Sequence, residues 1–188
     1  MPPSMDDFSK EFAGCQLTLL IDFFSRYDQV PLDEKSQDLT TFQMPLGLLR
    51  QTTLPQGATN SVAQFVRIVT KILEDLIPHN YMPFLDDIGV KGPRTTYNSK
   101  EVLPGVRRFV IEHIQALDKT LEQLERAGCT IGPKSQFCIN GIVIVGFVYR
   151  AEGKSPKTAK VIKILEWRPC TNIQEARAFV GVCVYYCI

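Results

Sequence analysis

Apolar residues along the chain fall into short runs and longer periodic stretches, and the spacing within each predicts an element. Gln16-Leu17-Thr18-Leu19-Leu20-Ile21-Asp22 reads as a buried strand with an acid at its carboxyl end. Phe42 to Leu49 is apolar and strand-like, and Leu54 to Asn60 is a loop of small, turn-forming residues. From Ser61, the residues Val62, Phe65, Val66, Val69, Ile72, Leu73 and Leu76 recur at helical spacing until Pro78. Tyr81 to Val90 is apolar except for Asp86-Asp87 and predicts a hairpin. Thr95 to Val102 is polar and loop-like, as an insertion would be. A second helix is expected from near Pro104, through Phe109, Val110, Ile114, Leu117, Leu121 and Leu124, to Gly128. Phe137 to Val148 predicts a hairpin turning at Asn140-Gly141. Two more helices follow, one after Ser155-Pro156 and one with a capping box from Thr171 to Gln174. The order of strand, loop, helix, hairpin, helix and hairpin predicts an α+β fold, an antiparallel sheet with helices packed on one face.

Composition leaves this picture standing. A chain of 188 residues, 45% hydrophobic and 22% charged, has enough apolar surface for one substantial core. Its net charge of +1 is neutral on a nucleic-acid partner, because a basic face can coexist with an acidic site. The six cysteines form no Cys-x-x-Cys pair and no zinc grouping with His79 or His113. They read as buried, reduced thiols of an intracellular protein, cytoplasmic or nuclear and not secreted. The first residues show no basic-then-apolar leader, and no apolar run is long enough to span a membrane. Phe179 to Ile188 is apolar to the last residue, the pattern of a chain cut from a longer polyprotein.

The chemistry concentrates in the acids. Asp86-Asp87 lie inside an apolar run, where an unpaired anion costs several kcal/mol. Such a pair also suits a solvated hairpin turn. Asp22 changes the balance, because its strand is a plausible partner for that hairpin. Three carboxylates converging at a sheet edge can hold two Mg²⁺ ions roughly 3.5–4 Å apart, the arrangement used for phosphoryl transfer. Lys154, Lys157, Lys160 and Lys163 recur every third residue and would form one basic stripe on a helix, either a solvated face or a contact for nucleic-acid phosphates.

Several segments in order resemble the palm of a reverse transcriptase from a gypsy-type long-terminal-repeat retrotransposon. Leu20-Ile21-Asp22-Phe23-Phe24-Ser25-Arg26-Tyr27-Asp28-Gln29-Val30 is similar to the first catalytic-aspartate motif. Thr41-Phe42, Met44-Pro45-Leu46-Gly47-Leu48, Leu54-Pro55-Gln56-Gly57 and Gln64-Phe65 resemble the next motif and its helix. Phe84-Leu85-Asp86-Asp87 resembles the Tyr-x-Asp-Asp box, with Phe84 in place of the tyrosine. Gly132 to Cys138 is similar to the lysine-bearing segment after the box, and Ile144-Val145-Gly146-Phe147 to the primer-grip hairpin, Phe147 standing where many relatives carry His. Trp167, Pro169, Phe179-Val180-Gly181 and Tyr185-Tyr186 resemble the continuation into the thumb.

The resemblance implies a role for each matching residue. Asp22, Asp86 and Asp87 would bind two Mg²⁺ ions, or Mn²⁺, and the Ile21 or Phe23 backbone would help seat the triphosphate. Tyr27 would exclude a ribose 2′-hydroxyl, and Gln56 and Gly57 would contact the incoming nucleotide. Lys134 would protonate the leaving pyrophosphate, and Gly146 and Phe147 would steady the primer end. The implied division is an N-terminal remnant at 1–16, the palm at 17–150 and the start of a thumb or connection at 151–188. The fingers would be largely missing, since Lys10 is the one Lys or Arg before Asp22.

The implied activity is RNA-directed DNA polymerisation. Its partners would be an RNA or DNA template with primer, deoxynucleoside triphosphates, and the fingers, ribonuclease H and integrase segments of the same polyprotein, with no membrane. A catalytically inactive remnant that binds nucleic acid or other polyprotein segments is the competing reading, and another two-metal nucleotidyl transferase is a third.

Overall fold

The computed structural model describes residues 5–77, 81–84 and 87–186, the side chains of 5, 6, 82–84 and 87 excepted. In chain order the helices are α1 (Met5–Phe12), α2 (Glu34–Gln37), α3 (Ser61–Ile72), α4 (Arg108–Arg126), α5 (Thr158–Leu165) and α6 (Ile173–Tyr186). The strands are β1 (Thr18–Asp22), β2 (Phe42–Met44), β3 (Gly47–Leu49), β4 (Tyr81–Phe84), β5 (Asp87–Lys91), β6 (Glu101–Leu103), β7 (Val106–Arg107), β8 (Gln136–Ile139), β9 (Gly141–Ile144), β10 (Phe147–Arg150) and β11 (Gly153–Pro156). The fold is α+β, as the periodicities predict.

The central sheet has the order β4-β5-β1-β8 and is antiparallel at each pairing. Side chains alternate across a strand, and β1 uses both faces. Leu19 and Ile21 join Ile88, Val90 and Tyr81 against α3 and α4, where Phe65, Val69, Leu73, Ala116 and Leu124 are buried. Phe65 and Val69 are one helical turn apart, which gives α3 the apolar stripe that the sheet requires. Leu20 faces the opposite way, toward Phe8, Phe12, Ile142, Ile144, Phe147 and Tyr149. That second core joins α1 to a three-stranded sheet of order β11-β10-β9. Phe8 and Phe12 stack at 4.1 Å between ring centroids, and Glu11 pairs with Lys91 of β5 at 2.6 Å.

Several local expectations fail for identifiable reasons. Asn140-Gly141 is not a hairpin turn. β8 pairs with β1, and the chain changes sheets at this point. Gly141 is needed because a Cβ there would stand 2.6 Å from the Arg150 side chain in β10. The actual turn is Val145-Gly146, both at positive φ (47° and 84°), the geometry that follows the twist of a two-residue hairpin. Phe42 to Leu49 is a separate β2–β3 hairpin, not one strand, and it carries exposed Leu46 and Leu48. Pro104 sits between β6 and β7 and does not open a helix; α4 starts at Arg108. Residues 95–102 include the start of that hairpin and are tied to α4. There the Tyr97 hydroxyl donates to Glu112 at 2.7 Å and Arg108 Nε donates to it at 2.8 Å. These two donors hold the Glu112 carboxyl below its usual range.

Pro156 ends β11, and α5 begins at Thr158. The cap of α6 lies one residue later than predicted. The Glu175 N–H donates to Asn172 Oδ1 at 2.9 Å, and the Glu175 carboxylate accepts from the Thr171 N–H at 2.8 Å. The lysine stripe is divided: Lys154 is in β11, Lys157 precedes α5, and Lys160 and Lys163 are on the helix. The cysteines differ as well, since Cys15 is buried while Cys138 and Cys170 are exposed. The helix stop at Pro78 and the side chain of Cys187 lie outside the described residues. Among the described residues, no helix is long and apolar enough to cross a membrane.

Candidate active site

β1 and β5 place Asp22 and Asp87 directly opposite one another, at the last register position of the pair. Phe84 of β4 is in turn the register partner of Asp87. Leu85 and Asp86 lie outside the described residues, as does the Asp87 side chain. On the other side of β1, the segment before β8 holds Asp22 by its backbone. The Asp22 carbonyl accepts from the Gly132 N–H at 2.6 Å, and its N–H donates to Ser135 Oγ at 3.1 Å. A Cβ on Gly132 would stand 2.7 Å from Asp22 Oδ2, so the half-buried carboxylate rests on a backbone with no side chain to displace it.

Beyond Asp22 the chain leaves the sheet in a tight turn. Phe23 bridges Ile131, and the Phe24 N–H donates to the Thr130 carbonyl at 3.1 Å. Ser25 then takes a left-handed backbone (φ 42°), and the Asp28 N–H closes on the Ser25 carbonyl at 2.7 Å. Arg26 and Tyr27 are the middle residues of this turn. Gln29 fastens it from below. Its Oε1 accepts from the Thr130 N–H at 2.7 Å, and its Nε2 donates to the carbonyls of Thr130, at 3.0 Å, and Phe24.

The Tyr27 ring meets Phe65 edge-on at 5.8 Å, which docks the turn on α3. The Gln56 loop is brought alongside by the Leu54 N–H, which donates to the Val30 carbonyl at 2.9 Å, and by Ser61 Oγ, which donates to the Pro55 carbonyl at 2.6 Å. Gly57, at φ 85°, permits the loop to reverse there.

The result is an open cavity of about 520 Å³ whose walls include Asp22, Phe23, Tyr27, Gln56 and Lys134. Five predicted site residues, from three segments far apart in sequence, therefore share one concavity. Phe24, Ser25, Arg26 and Pro133 complete it. Gly57 is next to the wall without lining it. Gly146 and Phe147 are elsewhere, at the β9–β10 turn under α6. A Cβ on Gly146 would meet the Tyr186 hydroxyl at 2.7 Å, Tyr185 donates to the Val145 carbonyl at 2.9 Å, and Lys154 Nζ is 4.2 Å from the Phe147 ring centroid.

Arg26 and Gln29 lie inside the motif around Asp22, and the motif alone assigns neither a role. Adjacency to Tyr27 was the available signal for Arg26; nothing in the sequence announces the pairing of Gln29 with Thr130.

The Asp22 carboxylate fits a hard cation. It supplies oxygen donors at the wall of an open, polar cavity, and among the described residues no Lys, Arg or His forms an ion pair with it. Among those same residues, no group of three His, Cys, Asp or Glu that could hold a metal ion is present.

Comparison with known proteins agrees with this architecture. The family model described as reverse transcriptase (RNA-dependent DNA polymerase) matches residues 3–175. The retrovirus-related Pol polyprotein from transposon 297 of Drosophila melanogaster is 26% identical over 98% of this chain. That from transposon 412 of the same organism is 25% identical over 98%, and the transposon Tf2-3 polyprotein of Schizosaccharomyces pombe is 20% identical over 95%. The chain spans 16%, 14% and 12% of these relatives' lengths, respectively.

Among solved structures, a foamy viral protease-reverse transcriptase in complex with double-stranded DNA superposes with a TM-score of 0.79 at 22% identity, over 98% of this chain and 30% of that one. The same kind of protein in complex with an RNA/DNA hybrid gives 0.76 at 22% identity, over 98% and 23%. With the family model spanning nearly the whole chain, this chain belongs to the reverse transcriptase (RNA-dependent DNA polymerase) family.

Proposed function

We propose that this chain is the palm-centred part of a gypsy-type retrotransposon reverse transcriptase, adding deoxynucleotides to a primer 3′ end on an RNA or DNA template. Residues 17–150 would form the palm and 151–188 the start of the thumb or connection, with 1–16 preceding them. The observation that carries this reading is the register of Asp22 against Asp87 beside a cavity walled by Tyr27, Gln56 and Lys134. Like charges directly opposed on an antiparallel pair are unfavourable, and a bound cation removes that cost.

Asp22, Asp86 and Asp87 would hold two Mg²⁺ ions, or Mn²⁺, which when bound supply Lewis-acid activation of the primer hydroxyl and charge neutralisation. The remaining chemistry falls to the chain's own groups. Tyr27, braced by Phe65, blocks the space below the sugar and selects against a 2′-hydroxyl. Gln56 and the Gly57 backbone contact the nucleotide. Lys134, exposed on the turn after Gly132, donates a proton to the departing pyrophosphate. Gly146 and Phe147 steady the primer end. The nucleic acid and triphosphate substrates are intracellular, which puts the reaction in the cytoplasm or nucleus, alongside the other segments of the polyprotein.

The test is primer extension with Mg²⁺ or Mn²⁺, comparing this chain, a version extended upstream and the Asp86→Asn form of each. Extension that disappears in both Asp86→Asn forms is the expected result. Absence of extension from both unmutated proteins would overturn the proposal and leave a nucleic-acid- or polyprotein-binding module.

A further inference from the structure

We propose that Arg26 is a phosphate-binding residue of the cavity, gripping the triphosphate of the incoming nucleotide; this rests on the polymerase reading above. The cavity wall carries the Asp22 carboxylate together with two cationic side chains, Arg26 and Lys134. A nucleoside triphosphate brings several negative charges next to that carboxylate, and charge stabilisation is the largest part of phosphoryl-transfer catalysis. Cations on the same wall answer this need.

The two cations are held differently. Lys134 is on an exposed turn, a flexible point charge. Arg26 is half-buried, in a turn pinned at both ends by the Ser25 carbonyl and by Gln29. Its guanidinium lies 5.1 Å from the Tyr27 ring centroid, and Tyr27 is itself braced by Phe65. A guanidinium kept over an aromatic face loses little freedom on binding, and its planar fork matches phosphate oxygens bidentately. The ring proposed to select the sugar thus carries on its face the group proposed to take the phosphates. One turn would read both halves of the nucleotide.

A phosphodiester of the template presents the same chemistry, so the experiment separates the two sources. Wild-type chain, Arg26→Ala and Arg26→Lys are titrated at equilibrium with a deoxynucleoside triphosphate, with inorganic pyrophosphate and with a single-stranded oligonucleotide, in Mg²⁺ without primer. Arg26→Ala is expected to weaken triphosphate and pyrophosphate binding about 10- to 100-fold, as loss of a charge-assisted bond does, and oligonucleotide binding less than about 2-fold. Arg26→Lys should recover part of the loss. Unchanged pyrophosphate affinity in Arg26→Ala, or an equal loss toward the oligonucleotide, would overturn the assignment. These titrations need no turnover. Pyrophosphate binding through Arg26 with no primer extension from either this chain or its upstream-extended version would overturn the polymerase reading and leave Arg26 as a phosphate-binding residue of the cavity.

Discussion

The ring of Phe12 occupies the space that a side chain on Gly89 would need: a Cβ built there would stand 2.7 Å from the Phe12 Cε1. Gly89 is in β5, two residues beyond Asp87, and Phe12 is fully buried in α1. The first helix is therefore seated on the strand that carries the second aspartate. Gly89→Ala is expected to destabilise the fold by about 1–3 kcal/mol, the usual cost of overpacking a tight core. Adding Phe12→Leu should recover part of that loss. Urea unfolding of the single and double variants measures both effects, and additive losses would contradict the contact.

Gly132→Ala tests the seat of Asp22. The new methyl would press on Oδ2 from 2.7 Å and turn the carboxylate away from the cavity. A displacement of about 1 Å near reacting groups can cost about 100-fold in rate. Primer extension should fall by at least about 10-fold while the far-ultraviolet circular dichroism spectrum stays unchanged.

Tyr27→Val removes the ring but keeps an apolar contact toward Phe65. The ratio of ribonucleotide to deoxynucleotide incorporation should rise by about 10- to 100-fold, the range that a steric filter of this kind supplies. Single-nucleotide incorporation with matched triphosphates reads the ratio directly.

His113 makes stability depend on pH. The ring is fully buried in α4 behind the central sheet, and among the described residues neither nitrogen has a hydrogen-bond partner in good geometry. Burial pushes its pKa below 6.5, and the nearby Thr18 and Lys91 backbone offsets only part of that shift. The unfolded chain therefore binds a proton at a higher pH than the folded one. Stability from the neutral ring is present above about pH 6.5 and is lost as the pH falls toward the lower folded value. Denaturant midpoints between pH 5 and 8 should show this slope, and His113→Leu should flatten it.

The thiols should divide by exposure. Cys138 and Cys170 are exposed and should react with iodoacetamide in the native protein. Cys15 is buried, its Sγ directed at the Glu11 carbonyl at 3.5 Å, and burial raises its pKa. It should be labelled only after unfolding, as mass spectrometry of native and denatured samples would show.

What could be read in advance follows from the range of the interactions. The Phe65–Val69 stripe and the run ending at Asp22 are local signals, and α3 and β1 match them. Asn140-Gly141 misled because a turn-forming dipeptide says nothing about which strands lie beside it; here β1 takes the edge of β8. The Val145-Gly146 turn was hidden because a β-branched residue is an unusual occupant of a left-handed position. The motif order groups Asp22, Tyr27, Gln56 and Lys134, and the fold lines one cavity with all four. The supports of that cavity, Gln29 on Thr130 and Gly132 under Asp22, are long-range backbone contacts with no local pattern.

The backbone clasp on Asp22 also orders events in time. Its partner Ser135 lies 113 residues further along the chain, so a nascent polypeptide emerging from the ribosome has no complete cavity until the β8 region has been synthesised. Contacts of such sequence separation form slowly, because the long intervening loop must first be closed. A ligand of the finished cavity would bind no shorter intermediate. By mass action, a ligand of this cavity at 100 times its dissociation constant would favour the mature state by about 2.7 kcal/mol, making ligand supply a selector of fully folded molecules.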